Sequence, residues 1–215
     1  MQNLAHNCDR ARRANAGFSR RDVIITIVAI VLLVIAGQTW RAQITDLGIR
    51  AVCHANLQAL SPGFQQFVAL SNRLPSAAKL GEAMEDDWVY WQPTRSLERS
   101  SVAQGMSNFS GTVLRCPGDT ETNRREYPYS FSMNANLERF NLALAANSQL
   151  LILLYEEESP NDGACVPDAA ADGLTDRHMA RSSTLFVDGH VDLVSPRAGR
   201  MDKHARIVER VINPK

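Results

Sequence analysis

An uncharged apolar run at residues 23–36 constrains this chain more than any other feature of its sequence. Apart from Thr26, only isoleucine, valine, leucine and alanine occur there, and they fill every helical face, unlike the single apolar stripe of a helix packed on a soluble core. With the residues up to Trp40, a helix rising about 1.5 Å per residue is roughly 27 Å long, close to the thickness of a bilayer core. The sequence therefore predicts a membrane-spanning helix over residues 23–40.

Arginines are distributed unevenly around this predicted span. Arg41 and Arg50 follow it closely, whereas a larger set precedes it, namely Arg10, Arg12, Arg13, Arg20 and Arg21. Basic residues are retained on the cytoplasmic side of a membrane. We therefore expect a cytoplasmic N-terminus and an exported C-terminal part.

Residues 1–40 fit three different export signals, and the first two depend on the apolar span or the residues just before it. A secretory signal peptide would be cleaved near residues 34–36, where the chain would restart at Gly37. The pair Arg20-Arg21 before the apolar run also fits a twin-arginine signal.

The third signal lies at Gly17-Phe18. A basic leader ends in Gly17, an aromatic and a hydroxyl residue follow, and Asp22 stands at the fifth position after the glycine. This arrangement resembles the type IV prepilin cleavage site, at which the peptidase cuts after the glycine and methylates the new N-terminus. The resemblance implies a mature chain beginning at Phe18, with Asp22 facing the terminal amine of a neighbouring subunit. Local pairing of Asp22 with the adjacent arginines is the alternative.

The rest of the chain predicts an α+β fold, in which one long helix packs on a small antiparallel sheet. Apolar residues at three- and four-residue steps continue the helix to Leu74-Pro75. The segment 61–63, Ser-Pro-Gly, is either a kink or a new start, and the unbroken phase of the stripe favours a kink. Short β-type runs follow at residues 111–115, 127–132, 150–155, 184–187 and 190–194. Asp188-Gly189 indicates a two-residue hairpin turn between the last two runs.

Several segments, in order, resemble the type II secretion pseudopilin-like proteins that carry an H-x9-DG segment near the C-terminus. In this chain the segment runs from His178 to Asp188-Gly189. The first helix carries a C-x-x-N-L block at residues 53–57, followed by Leu74-Pro75. The remaining blocks are DWVYWQP at 87–93, LRCPGD at 114–119 and YSFSMN at 129–134.

The resemblance implies a domain organisation. It comprises a leader at 1–17, a transmembrane part at 18–40, an exported helix at 41–75 and a pilin-like head at 76–195. A basic tail at 196–215 lies outside the match. The implied function is that of a structural pseudopilin or minor pilin, with prepilin peptidase and other pseudopilin subunits as partners. The implied location is the bacterial inner membrane, in a single pass, with a periplasmic head. The alternative is a membrane-tethered binding or metal-dependent enzymatic ectodomain.

Two sets of residues in the head are candidate metal ligands. His178, Asp188 and His190 would form a zinc site if a hairpin brought them together. A hydrogen-bonded His178 that ties a loop to the sheet is favoured, and no stoichiometric zinc is expected. An acidic run would suit calcium, although the spacing matches no EF-hand and a solvated loop is favoured; its members are Glu156, Glu157, Glu158, Asp162, Asp168, Asp172 and Asp176.

The sequence gives no sign of an enzyme or a nucleic-acid-binding protein. No nucleophile stands in a recognisable catalytic setting, and the formal net charge of zero favours no polyanionic partner. Trp88, Tyr90 and Trp91 alternate as core residues of an extended segment do.

Four cysteines, Cys8, Cys53, Cys116 and Cys165, form no C-x-x-C pair. In an oxidising compartment we expect a disulfide between Cys53 and Cys116, since a turn at Pro117 would bring the chain back towards the first helix. Cys165 is the rival partner, and three free thiols are the alternative.

Overall fold

The computed structural model describes residues 19–90, 96–120, 127–145, 147–166 and 172–196. The chain forms two compact units, Met1–Thr45 and Asp46–Lys215. The described part of the first unit is helical from Arg20 onward, and the second contains the sheet.

Helix α1 spans Arg20–Ser71 and begins at a reciprocal cap. The backbone N–H of Ser19 donates to Asp22 Oδ2 at 2.9 Å, and the N–H of Asp22 donates to Ser19 Oγ at 3.2 Å. A carboxylate three residues after a serine thus satisfies a free N–H group of the first turn. The helix ends before Asn72, whose φ of 58° turns the chain out of the helical conformation.

The first part of α1 is long and apolar enough to cross a membrane, which confirms the predicted span at that level. Its large apolar side chains are all exposed, from 45% at Val23 to 72% at Leu33. α1 is compatible with a single-pass membrane protein.

The second half of α1 passes through Pro62 without a new helix starting at Ser61. It ends three residues before the Leu74-Pro75 boundary that the sequence indicated. One face of this half is buried through Cys53, Leu57, Leu60 and Phe64.

Five strands form one sheet in the order β3-β1-β2-β4-β5. Their bounds are Phe131–Asn134 (β1), Ile152–Glu156 (β2), Ala164–Cys165 (β3), Ser182–Phe186 (β4) and Val191–Val194 (β5). The pairs β1·β2, β2·β4 and β4·β5 are antiparallel, whereas β1·β3 is parallel. The α+β, pilin-like layout predicted from the sequence is confirmed, with the correction that the sheet is mixed.

One predicted strand is wrong. Gly111–Leu114 forms a 3-10 helix, because Ser110 Oγ accepts the N–H of Thr112 and closes the first turn. The β-branched residues there indicated a strand, but a local side-chain acceptor favours the helical turn.

The predicted hairpin is present between β4 and β5, but residues 187–190 lie between the strands rather than two turn residues. Gly189 adopts a φ of 93°, as glycine does readily. Asp188 Oδ1 accepts the N–H of His190, which keeps that residue in the turn.

The core of the second unit centres on Trp88. Its ring stacks on Phe64 of α1, with centroids 5.8 Å apart, and its indole N–H donates to the Gly163 carbonyl at 2.7 Å. Tyr90 packs edge-on against Tyr129. Burial of Trp88 and Tyr90 agrees with their expected core role, while Trp91 lies outside the described residues.

Gly63 lies where α1 closely approaches the Val102 segment. A methyl group added to Gly63 would lie 2.5 Å from the Val102 carbonyl oxygen, whereas one added to Gly48, on the same helix, meets nothing within 4 Å. The two positions share a helical backbone and differ in available space.

We predict opposite effects of Gly63→Ala and Gly48→Ala. Gly63→Ala forces the Val102 segment away and should lower the free energy of unfolding by about 1–3 kcal/mol. Gly48→Ala relieves only the backbone entropy cost of glycine and should raise it by roughly 0.5–1 kcal/mol. Denaturant titration of the full chain in detergent, followed by tryptophan fluorescence, measures both. Equal effects of the two substitutions would contradict the close packing at Gly63.

Candidate functional site: a buried Cys-Cys-Glu-His cluster

Four side chains with metal-ligating or acid–base chemistry meet inside the second unit. Cys53 comes from α1, Cys116 follows the Gly111–Leu114 turn, Glu156 ends β2, and His178 precedes β4. Their ligand atoms all lie within 4.8 Å of one another. All four residues are at most 1% exposed. Segments far apart in sequence therefore converge on one closed polar site.

His178 and Glu156 are the centre of the cluster. His178 Nε2 lies 3.1 Å from Glu156 Oε2 and 3.4 Å from Cys116 Sγ. Cys53 Sγ lies 3.8 Å from the same Glu156 oxygen. The Ser183 N–H also donates to Glu156 Oε2, at 3.1 Å.

A tight turn sets the position of His178. The N–H of Arg181 donates to the His178 carbonyl at 3.2 Å, and the N–H of His178 donates to the Arg181 carbonyl at 3.1 Å. Met179 and Ala180 between them have φ values of 50° and 61°. Positive φ at both central positions suits glycine or asparagine, so two ordinary side chains here carry backbone strain.

Charged neighbours surround the central pair. His178 Nδ1 lies 3.6 Å from Asp46 Oδ1, while Arg177 Nη1 lies 3.5 Å from Glu156 Oε1. Arg177 also donates to the carbonyls of Glu157 and Glu158. The guanidinium thus offsets part of the negative charge near Glu156.

The environment favours an ion pair between His178 and Glu156. Burial opposes the imidazolium, but the hydrogen bonds of His178 to Cys116 and Glu156 outweigh it and raise the pKa of His178 to about 10. Burial likewise opposes the carboxylate, but the interaction with His178 outweighs it and lowers the pKa of Glu156.

The pKa values of the two thiols are shifted in opposite directions. A hydrogen bond from Cys53, assisted by His178 and opposed by burial, lowers the pKa of Cys116 to about 7. The same bond, burial and the Glu156 charge raise the pKa of Cys53. Cys116 is therefore the sulfur that ionises first.

This arrangement offers ligands rather than an open catalytic centre. Cys116 lies close to His178, as a nucleophile lies close to its activating base. Both side chains are at most 1% exposed, however, so a substrate could not reach the Cys116 sulfur. Two sulfurs, an imidazole and a carboxylate also form a ligand set suited to a transition-metal ion.

The structure separates the histidines that the sequence grouped. His190 lies on the β4–β5 turn, bonds to Asp188 through Nδ1 at 2.6 Å and stacks on Phe186. His178 lies instead in the buried cluster. Among the described residues, Asp188 and His190 join no group of three metal ligands with His178. The contact of His178 with Glu156 on β2 does tie its loop to the sheet.

The predicted disulfide partners are neighbours in the cluster. Cys53 and Cys116 are free thiols whose sulfurs lie within 4.8 Å of each other. Cys165 lies in a second apolar cluster, with its sulfur 3.8 Å from the Asp172 carbonyl. The Cys53–Cys116 bond stays a prediction.

Much of the acidic run is buried instead of solvated. Glu156 and Glu157 are 0% exposed at the end of β2. Asp162 accepts the N–H groups of Leu80 and Ala164, and Asp172 accepts that of Val166. These carboxylates serve as acceptors for loop backbone, while Asp168 lies outside the described residues.

Sequence reasoning missed the cluster as a unit and overlooked Glu156 as a member. A signal existed: Cys53, Cys116 and His178 each belong to a different block of the family resemblance. The processing residues Gly17 and Phe18 lie outside the described part of the chain, whereas Asp22 caps α1.

Comparison with protein-family profiles, curated proteins and solved structures finds no match. The class of protein is defined by its own architecture: a long N-terminal apolar helix followed by a small mixed sheet, in an α+β pilin-like layout.

We predict that Ala180→Gly stabilises the protein. Glycine removes the strain of the left-handed backbone at φ 61°, and the net gain should be about 0.5–1 kcal/mol after the added entropy of the unfolded chain. The matched control is Ala51→Gly at an exposed position of α1. This substitution should lower the free energy of unfolding by about 1 kcal/mol, because glycine is a poor helix former. Denaturant titration compares them, and a loss in both variants would count against strain in the turn.

Proposed function

We propose that the chain is a structural pseudopilin or minor-pilin-like subunit, anchored in the inner membrane through α1 before it assembles with other such subunits. The observation that carries this proposal is the exposure of every large apolar side chain from Val23 to Ile35. Such a surface is stable only against lipid or the apolar helices of neighbouring subunits. A helix that continues into a folded head, as α1 does to Ser71, would connect both environments.

Asp22 supports the same proposal. A carboxylate at the mouth of an apolar span is costly and calls for a partner. Asp22 uses one oxygen to accept the Ser19 N–H. A carboxylate accepts several hydrogen bonds, so this cap leaves capacity for the terminal amine of a neighbouring subunit.

The enzymatic alternative has weaker support. The Cys-Cys-Glu-His cluster is fully buried, whereas a catalytic metal or nucleophile needs an accessible position. We therefore assign the head a structural role and the cluster a role in holding the head together.

Processing at Gly17 is the first test. Gly17→Val should block cleavage and leave a chain heavier by residues 1–17, because the peptidase requires the small residue in the proposed site. The wild-type chain should begin at Phe18 and carry one added methyl group. Intact-mass analysis of membrane-extracted protein gives both values.

Two control variants separate the competing export signals. Ala36→Leu would block signal-peptide cleavage, which needs a small residue there, and paired Arg20→Lys and Arg21→Lys would block twin-arginine export. We expect both controls to begin at Phe18 like the wild type, with masses that differ from it only by the substituted side chains. Loss of cleavage in Ala36→Leu alone, or a Gly17→Val chain that still has the mature wild-type mass, would refute the prepilin assignment.

Assembly is the second test, and it separates the charge of Asp22 from its capping role. A photo-crosslinking residue at exposed Leu33 should join two copies of the chain. Asp22→Asn keeps an oxygen acceptor but removes the charge, and should reduce the crosslinked dimer several-fold. Ser19→Ala weakens the cap yet retains the carboxylate, and should leave the dimer yield close to that of the wild type. Equal yields from the two variants would contradict a role for the Asp22 charge.

A further inference from the structure

We propose that Cys53, Cys116, Glu156 and His178, with both thiols reduced, bind one Zn²⁺ ion as a closed structural site. This proposal is independent of the pseudopilin function, since it concerns only the head. It departs from the sequence-based expectation of no stoichiometric zinc, and it shares only His178 with the zinc candidate drawn from the sequence.

Three distances among the four ligand atoms fit a single tetrahedral ion. With Zn–S near 2.3 Å and Zn–N or Zn–O near 2.0–2.1 Å, tetrahedral edges are about 3.6 Å for sulfur to nitrogen or oxygen and about 3.3 Å for nitrogen to oxygen. The corresponding distances are 3.4 Å for Cys116 Sγ to His178 Nε2, 3.8 Å for Cys53 Sγ to Glu156 Oε2, and 3.1 Å for His178 Nε2 to Glu156 Oε2. Three edges thus match within a few tenths of an ångström.

The chemistry of the donors selects among cations. Two sulfurs and an imidazole favour zinc and exclude calcium, which prefers six or more oxygen ligands. Binding forms two Zn–S bonds, one Zn–N bond and one Zn–O bond, and it releases to solvent the protons of both thiols and any proton on His178 Nε2.

Neighbouring groups provide the outer support that such a site needs. Asp46 Oδ1, 3.6 Å from His178 Nδ1, is placed to receive the other ring N–H, as carboxylates do for zinc-bound histidines. The N–H of Gly118 donates to Cys116 Sγ at 3.4 Å, which stabilises a thiolate. Arg177 Nη1 near Glu156 Oε1 offsets the excess negative charge of the ligands.

The outer atoms of two ligands face charged neighbours. Among the described residues, His178 Nδ1 and Glu156 Oε1 make no hydrogen bond, but Asp46 Oδ1 lies 3.6 Å from the first and Arg177 Nη1 lies 3.5 Å from the second. Loss of the Nε2 proton to zinc would leave the imidazole proton on Nδ1, facing Asp46.

The test uses the full chain in detergent. A phosphine reduces the thiols, a chelator removes bound metal, and air is excluded throughout. Addition of Zn²⁺ should give one ion per chain by elemental analysis and raise the unfolding midpoint, while Ca²⁺ should do neither. Co²⁺ should give the visible absorption of a tetrahedral site and a thiolate charge-transfer band. X-ray absorption at the zinc edge should report two sulfur and two nitrogen or oxygen neighbours, without any substitution that endangers folding.

Substitutions then identify the ligands. Cys116→Ser should remove the charge-transfer signal and lower zinc occupancy at least tenfold. Cys165→Ser is the matched control, because Cys165 is equally buried but lies in the other apolar cluster, and it should bind zinc like the wild type. Failure of the reduced wild-type chain to take up zinc would overturn the proposal, as would a single sulfur neighbour or full binding by Cys116→Ser. A Cys53–Cys116 disulfide in the isolated protein, with no zinc uptake after its reduction, would also overturn it.

Discussion

The buried contact between Glu156 and His178 is the interaction on which the head depends. A carboxylate at 0% exposure is very costly unless it is paired. Glu156 meets this requirement with His178, the Ser183 N–H and Arg177, which come from the turn before β4 and from β4 itself. Removing one partner would leave a buried charge, so the end of β2 and the strained turn at Met179-Ala180 are energetically linked.

The same contact brings α1 into the head. Cys53 lies at the Glu156 carboxylate, and Phe64, further along α1, stacks on Trp88 of the core. Polar and apolar contacts therefore hold the same helical face. Gly63 lets the Val102 segment approach that face closely, since any side chain there would meet the Val102 carbonyl.

Local patterns predicted the elements whose causes are local. The uncharged run at residues 23–36 specified an apolar helix, and alternating or β-branched runs located four of the five strands to within a few residues. The prediction failed at Gly111–Leu114, where the Ser110 hydroxyl closes a 3-10 turn, and it missed β3, a two-residue strand whose parallel partner is about thirty positions earlier. Neither the capping bond nor so short a parallel pair leaves a periodic signal.

The sequence alone determined the helix able to span a membrane, the α+β class and the chemical types present in the head, because each follows from composition and periodicity. Tertiary structure decided which of those groups meet. It placed His178 beside Cys53, Cys116 and Glu156 and left His190 with Asp188 on the β4–β5 turn. The reason is physical: the four cluster residues are separated by up to 125 positions from Cys53 to His178, and only the packing of α1 against the sheet brings them within 4.8 Å.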